Sequence, residues 1–125
     1  MSVHCGVDII EIDRVKKSVD ELAGFKSRVF TEKEIAYCEG RNKAKYESYA
    51  ARFAAKEAVL KALGTGLADG VEWKHIEISN DERGKPVVLL TCRALDIFRE
   101  MNGKSIDISL SHCSAYAVAY AVIES

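Results

Sequence analysis

The 125-residue sequence predicts an α+β fold: a single small domain, residues 1–125, with a mainly antiparallel sheet packed against helices and one long central helix. Three observations carry this prediction. The C-terminal stretch alternates apolar and polar residues at a period of two, as half-buried antiparallel strands do. An alanine-rich run from Lys45 to Leu63, closed by Gly64 and Gly66, has the composition and the stop signal of a long helix. The strand-like and helix-like segments do not follow strict β-α-β order, which argues against a doubly wound parallel sheet.

In chain order, Val3 to Ile10 is rich in β-branched residues and predicts a first strand. Asp13 is placed to cap a short helix that begins at Arg14 and ends near Gly24. Thr31 followed by Glu34 matches a capping box for a helix over Glu32–Glu39, with Gly40 as its stop. After the long helix, Trp73–Ser79 and Pro86–Thr91 predict two strands, joined by a polar run from Asn80 to Lys85 with turn chemistry. Arg93–Met101 predicts an amphipathic helix stopped by Asn102-Gly103. Ile106, Ile108 and Leu110 then point one way, and Tyr116, Val118, Tyr120 and Val122 alternate with alanines; two strands joined near His112–Ser114 account for both runs. No repeat, low-complexity segment or Pro/Gly-rich linker divides the chain.

Bulk properties exclude several function classes. Hydrophobic residues make up 48% and charged residues 30%, a balance unlike that of disordered chains. A formal charge of −1 is wrong for a general nucleic-acid binder. The charge is nonetheless unevenly spread: Arg14 to Lys61 carries 12 Lys/Arg against 7 Asp/Glu, whereas the rest carries 6 against 12. Such a basic half suits an acidic partner or a phosphorylated ligand, or else forms a solvated helical surface. No apolar run approaches membrane-spanning length, and the N-terminus does not resemble a secretion signal, so a cytoplasmic protein is expected. Cys5, Cys38, Cys92 and Cys113 lie far apart with no C-x-x-C pair; reduced thiols that simply pack, and no zinc site, are expected.

Two carboxylates sit where a carboxylate is awkward. Asp8 interrupts the apolar run Val7-Asp8-Ile9-Ile10 inside a strand, where Asp is disfavoured. Glu57 lies about 40° from Phe53 on a helical wheel, close to Tyr49 and Leu60, and so projects from the apolar side of its helix. A buried carboxylate must be paired, hydrogen-bonded, protonated or bound to metal. Lys61 stands at i+4 from Glu57. As an isolated pattern this is an ordinary helix ion pair worth about 0.2–0.5 kcal/mol. With Asp8 it becomes two hard oxygen donors and an ammonium, an inventory that suits magnesium and a phosphate. Gly64-Thr65-Gly66 is a helix cap that also lets a ligand approach the backbone. Gly84-Lys85-Pro86 is by itself the end of a turn, and His112 by itself a strand-end histidine.

Together these segments resemble one family. Gly6-Val7-Asp8-Ile9-Ile10-Glu11-Ile12-Asp13-Arg14 is similar to the opening motif of the holo-(acyl carrier protein) synthases, the small trimeric class of 4′-phosphopantetheinyl transferases. Arg52-Phe53-Ala54-Ala55-Lys56-Glu57-Ala58, running on through Lys61-Ala62-Leu63-Gly64-Thr65-Gly66, resembles its central signature. Trp73, Ile76-Glu77-Ile78, Asn80-Asp81, Gly84-Lys85-Pro86 and Ser109-Leu110-Ser111-His112 extend the likeness over nearly the whole chain. Ala51 is a departure, standing where that pattern has glycine.

The resemblance implies a homotrimer with coenzyme A bound between adjacent subunits. By motif, Asp8 and Glu57 would ligate magnesium, and Lys61 would neutralise the pyrophosphate. Thr65-Gly66, Lys85-Pro86 and His112 would hold the nucleotide end, and Arg14, Phe25 and Lys26 would dock an acidic apo-acyl carrier protein. The carrier serine would attack the phosphorus bearing pantetheine and displace adenosine 3′,5′-bisphosphate. Its proton would pass to Glu57 or to a water that Glu57 orients on the cation. Two alternatives are a transferase serving polyketide or peptide synthase carriers, which the short chain disfavours, and a non-catalytic carrier- or nucleotide-binding protein, which has no need of Asp8, Glu57 and Lys61 together.

Overall fold

The computed structural model describes all residues, 1–125. Strand β1 (Val3–Glu11) pairs antiparallel with β5 (Tyr116–Glu124), which pairs antiparallel with β4 (Ser105–His112), in the order β1-β5-β4. Helix α4 (Lys45–Leu63) lies across the inner face of this sheet. Helices α1 (Ile12–Glu21), α2 (Phe25–Val29) and α3 (Glu32–Glu39) gather around the first half of α4. A second, two-stranded antiparallel sheet of β2 (Ile76–Asn80) and β3 (Pro86–Leu90), followed by α5 (Cys92–Glu100), packs on its second half.

Small residues bring helix and sheet together. The strand period turns Ala117, Ala119 and Ala121 inward, where each is at most 1% exposed, against Ala54, Ala55, Ala58 and Ala62 of α4. Gly6 is the tightest point: a Cβ there would lie 1.9 Å from the carbonyl oxygen of Ala58 and 2.8 Å from the backbone nitrogen of Ala62. The other face of β5 carries Tyr116, Val118, Tyr120 and Val122, and these point outward. With Val7 and Ile9 of β1 they form an exposed apolar surface, on which Val7, Ile9, Tyr116 and Tyr120 are 52%, 64%, 46% and 44% exposed.

The capping box at Thr31–Glu34 and the bounds of α3 and α4 are those the sequence predicts. Other expectations are corrected. Asp13 caps nothing: α1 already begins at Ile12, because the Ile12 amide continues the sheet by donating to the Ala115 carbonyl, and Asp13 sits in the first helical turn. That helix ends at Glu21, and Gly24, at φ 81°, opens the additional short helix α2. Trp73–His75 is a 3₁₀ turn and the strand starts at Ile76. Of the four cysteines only Cys38 packs inside; Cys5 faces outward from β1, and Cys92 and Cys113 lie exposed at a helix start and a turn. Glu57 does not separate an apolar from a wet side, since α4 is covered almost all round from Tyr49 to Leu63. The least covered row is Phe53, Glu57 and Lys61, and a cleft opens there.

Candidate active site

Asp8 follows Gly6 by one strand repeat and therefore faces α4 immediately beyond the tight contact with Ala58 and Ala62. Its side chain is 17% exposed, and the Lys61 Nζ lies 3.3 Å from its Oδ1. Lys61 also donates to the Val7 carbonyl at 2.8 Å, which fixes the ammonium against the strand. Glu57 comes one helical turn before Lys61. Burial, and after it the charge of Asp8, raises the Glu57 carboxyl above the ordinary carboxylate range, while Lys61 opposes the shift. Two carboxylates and one ammonium thus converge where strand and helix touch.

The two carboxylates border a cavity of about 360 Å³ whose wall includes Asp8, Glu57, Arg14, Ile10, Phe25 and Phe53. The aromatic part of the wall is braced from behind: Trp73 stacks on Phe53 with centroids 5.1 Å apart, and Phe25 lies 5.9 Å from the same ring. Trp73 is held through its carbonyl by Lys56, the residue before Glu57. Lys56 is wholly buried, pairs with Glu34 at 2.8 Å and also donates to the Ile76 carbonyl. Glu34 in turn accepts from the Thr31 and Ile78 amides, so one buried pair ties α3, α4 and β2 behind the cleft.

No group of three or more His, Cys, Asp or Glu side chains forms a metal cluster. Asp8 and Glu57 alone suit a hard cation that completes its shell with water and substrate phosphate, and their crowded negative charge fits such an ion. Arg14 lies exposed on the same cleft. Lys26 does not reach it, because its ammonium turns to Glu39, 3.6 Å away.

Lys85, Pro86 and His112 come together on a second cavity of about 510 Å³. Lys85 sits 3.2 Å from Asp107, and the His112 Nδ1 lies 3.8 Å from Glu47. Arg41, Ser48, Arg52 and Asn80 also border this cavity, and none of them stands out as a site residue in the sequence. Arg52 offers the one available signal, a charge within an alanine-rich buried row. The two cavities share no wall residue. Ser48 and Glu57, nine residues apart, project from opposite sides of α4. Thr65 and Gly66 border neither cavity; the Thr65 hydroxyl donates to the Gly66 carbonyl at 3.1 Å.

Comparison with known proteins places this arrangement. Residues 4–121 match the model of the 4′-phosphopantetheinyl transferase superfamily. The chain is 51% identical over 124 residues to the holo-[acyl-carrier-protein] synthase of Ruminiclostridium cellulolyticum, covering 98% of this chain and 92% of that protein. Among solved structures it is similar to a holo-(acyl-carrier-protein) synthase of Bacillus anthracis in complex with CoA (3′,5′-ADP), with a TM-score of 0.80, 37% identity, and 98% and 96% of the two chains covered. It is also similar to the Helicobacter pylori enzyme in complex with coenzyme A, with a TM-score of 0.83, 31% identity and 96% and 99% coverage. The chain belongs to the 4′-phosphopantetheinyl transferase superfamily and, within it, to the holo-[acyl-carrier-protein] synthases.

Proposed function

We propose that this protein transfers 4′-phosphopantetheine from coenzyme A to a serine of apo-acyl carrier protein, with Asp8, Glu57 and Lys61 as the centre of the site. The convergence of these three side chains, on segments that lie within the family match, carries the reading. Asp8 and Glu57 would hold magnesium, which when bound supplies positive charge beside the pyrophosphate. Lys61 would set a further positive charge against the same phosphates. Glu57 is suited to accept the serine proton, directly or through a water, because its carboxylate borders the same cleft as Asp8. The serine oxygen would form a bond to the phosphorus bearing pantetheine as the bond to the nucleotide oxygen breaks, releasing adenosine 3′,5′-bisphosphate.

Lys85, Pro86 and His112, together with Thr65 and Gly66, would hold the nucleotide end. In one chain this second cavity and the Asp8 cleft do not meet, which supports a working site completed between subunits. The outward apolar face around Val7, Ile9, Tyr116 and Tyr120 supplies a surface for that contact, and a homotrimer is the expected assembly. Light scattering that gave a monomer mass at working concentration would contradict it. Arg14, Phe25 and Lys26 would receive the carrier, Arg14 directly at the cleft. No helix is long and apolar enough to cross a membrane, and cytoplasmic action on fatty-acid carriers is the expected setting.

One experiment tests the activity. Incubation with coenzyme A, magnesium and apo-acyl carrier protein should raise the carrier's intact mass by one phosphopantetheine. No adduct on that carrier, with one on a polyketide or peptide synthase carrier, would favour the alternative transferase; no adduct on any carrier would leave only a binding role.

A further inference from the structure

The loop Thr65–Val71 begins four residues after Lys61, just past the end of α4, and returns to the core at the buried Val71. Gly66 to Gly70, between these two feet, are all exposed, so packing does not hold the span. Within the loop, hydrogen bonds join Thr65 to Gly66 and Ala68, and Ala68 to Val71. Every hydrogen bond that reaches it from elsewhere comes from one residue, Arg93 of α5. Its Nε donates to the Asp69 carbonyl at 2.9 Å and its Nη2 to the Asp69 Oδ2 at 2.6 Å. Nη1 donates to Glu100 at 2.7 Å and so fixes the plane of the guanidinium, while Ala94 and Ile97 anchor the helix in the core. Asp69 stands at φ 60°, a left-handed conformation that is costly for a residue other than glycine and persists where its surroundings hold it. An ordinary surface ion pair contributes little, but a fork that takes both the carboxylate and the carbonyl of one residue also fixes the backbone there.

We infer that Arg93 is a positioning residue of the transfer reaction: it holds Asp69, and through it the Thr65–Gly66 segment, in place to receive coenzyme A. This rests on the transferase reading above, in which Thr65 and Gly66 help to hold the donor. A loop fixed before the donor arrives spares binding the cost of ordering it. Arg93 makes no hydrogen bond or ion pair with Asp8, Glu57 or Lys61, so its loss should tell on donor binding and spare the chemical step.

Arg93→Gln should raise KM for coenzyme A by about fivefold or more and change kcat and the carrier KM by less than about twofold, with the circular dichroism spectrum of wild type. Arg93→Lys, which keeps the charge without the fork, should behave like Arg93→Gln. Asp69→Gly, which suits the backbone angle and removes only the carboxylate arm, should raise KM for coenzyme A more weakly, by about twofold or more. The loop itself is read by thermolysin, which cleaves before apolar residues and should cut at the exposed Leu67 faster in Arg93→Gln than in wild type. Saturating coenzyme A should slow that cut in both proteins. A folded Arg93→Gln protein with the wild-type KM for coenzyme A overturns the inference, whatever the cleavage rate. So does an equal rise in both KM values, or a fall in kcat with KM unchanged, either of which would make Arg93 a general support of the fold. A wild-type KM in Arg93→Lys would overturn the fork. If wild type modifies no carrier, the transferase reading fails; the ratio of coenzyme A dissociation constants by calorimetry then decides whether Arg93 serves donor binding, and no binding of coenzyme A by wild type removes both readings. If Arg93→Gln does not fold, Asp69→Gly decides by the same measurements.

Discussion

Gly6→Ala is the substitution through which the fold controls the site most directly. The new Cβ would lie 1.9 Å from the Ala58 carbonyl oxygen, where ordinary contact begins near 3.4 Å. Both walls are backbone, so no rotamer change relieves the clash, and β1 must move off α4 by about 1 Å or more. Overpacking costs about 1–3 kcal/mol, and a rigid contact of this kind belongs at the upper end. About 3 kcal/mol in a chain of this size lowers Tm by roughly 10 °C. Asp8 shares the inward face of the displaced strand while Glu57 stays with the helix, and a 1 Å misplacement at a reacting centre costs about 100-fold in rate. Scanning calorimetry and kcat for transfer measure the two effects. Gly40→Ala is the control, since its Cβ would meet nothing closer than 3.4 Å and its φ of −74° is helical. A Gly6→Ala protein with wild-type Tm and kcat would refute the account of how strand and helix set the site.

Lys56→Met should destabilise by about 3–5 kcal/mol in urea titration, because it strands the Glu34 carboxylate in the interior, and adding Glu34→Gln should recover part of the loss; no recovery would show that the pair is not the cause. In metal-free protein Glu57→Gln should melt above wild type at pH 7. Since folding raises the Glu57 proton affinity, the native state binds more protons than the unfolded chain just above pH 4.5, and wild type loses stability as pH rises through that window. The gap should therefore close on acidification towards pH 4.5, and a gap that widens there contradicts the sign. Arg14→Ala should raise KM for the carrier strongly and KM for coenzyme A little, and 1 M salt, with a Debye length of about 3 Å, should weaken carrier use by the wild type; an unchanged carrier KM would remove Arg14 from the docking surface.

Much of the fold was legible because local chemistry and tertiary structure agree. The capping box at Thr31 and Glu34 is satisfied by neighbours three residues apart, and the alternation of β5 survives because each face has one fate. The Asp13 cap was misread because the Ile12 amide is taken by Ala115, a partner about a hundred residues away that no window of sequence reveals. The five-residue α2 is shorter than any helical period can establish. At the site, Asp8, Glu57 and Lys61 were legible as charges in the wrong surroundings. Arg52 was not, because its place on the second cavity depends on Tyr37 of α3, Asn80 of β2 and the end of β4, which the fold brings beside it. Gly6 gave no sign of its role, since it needs no unusual backbone angle and only the depth of the helix explains it.

The central claim, that Asp8 and Glu57 together hold the cation on which transfer depends, is tested most directly by the magnesium dependence of carrier modification, followed by intact mass. Wild type should modify the carrier in proportion to magnesium and stop in chelator. Asp8→Ala and Glu57→Ala should be inactive at every magnesium concentration while keeping the wild-type circular dichroism spectrum, and Glu57→Gln, which keeps the shape and removes the charge, should be inactive as well. Near-normal magnesium-dependent turnover in either alanine variant would contradict the assignment.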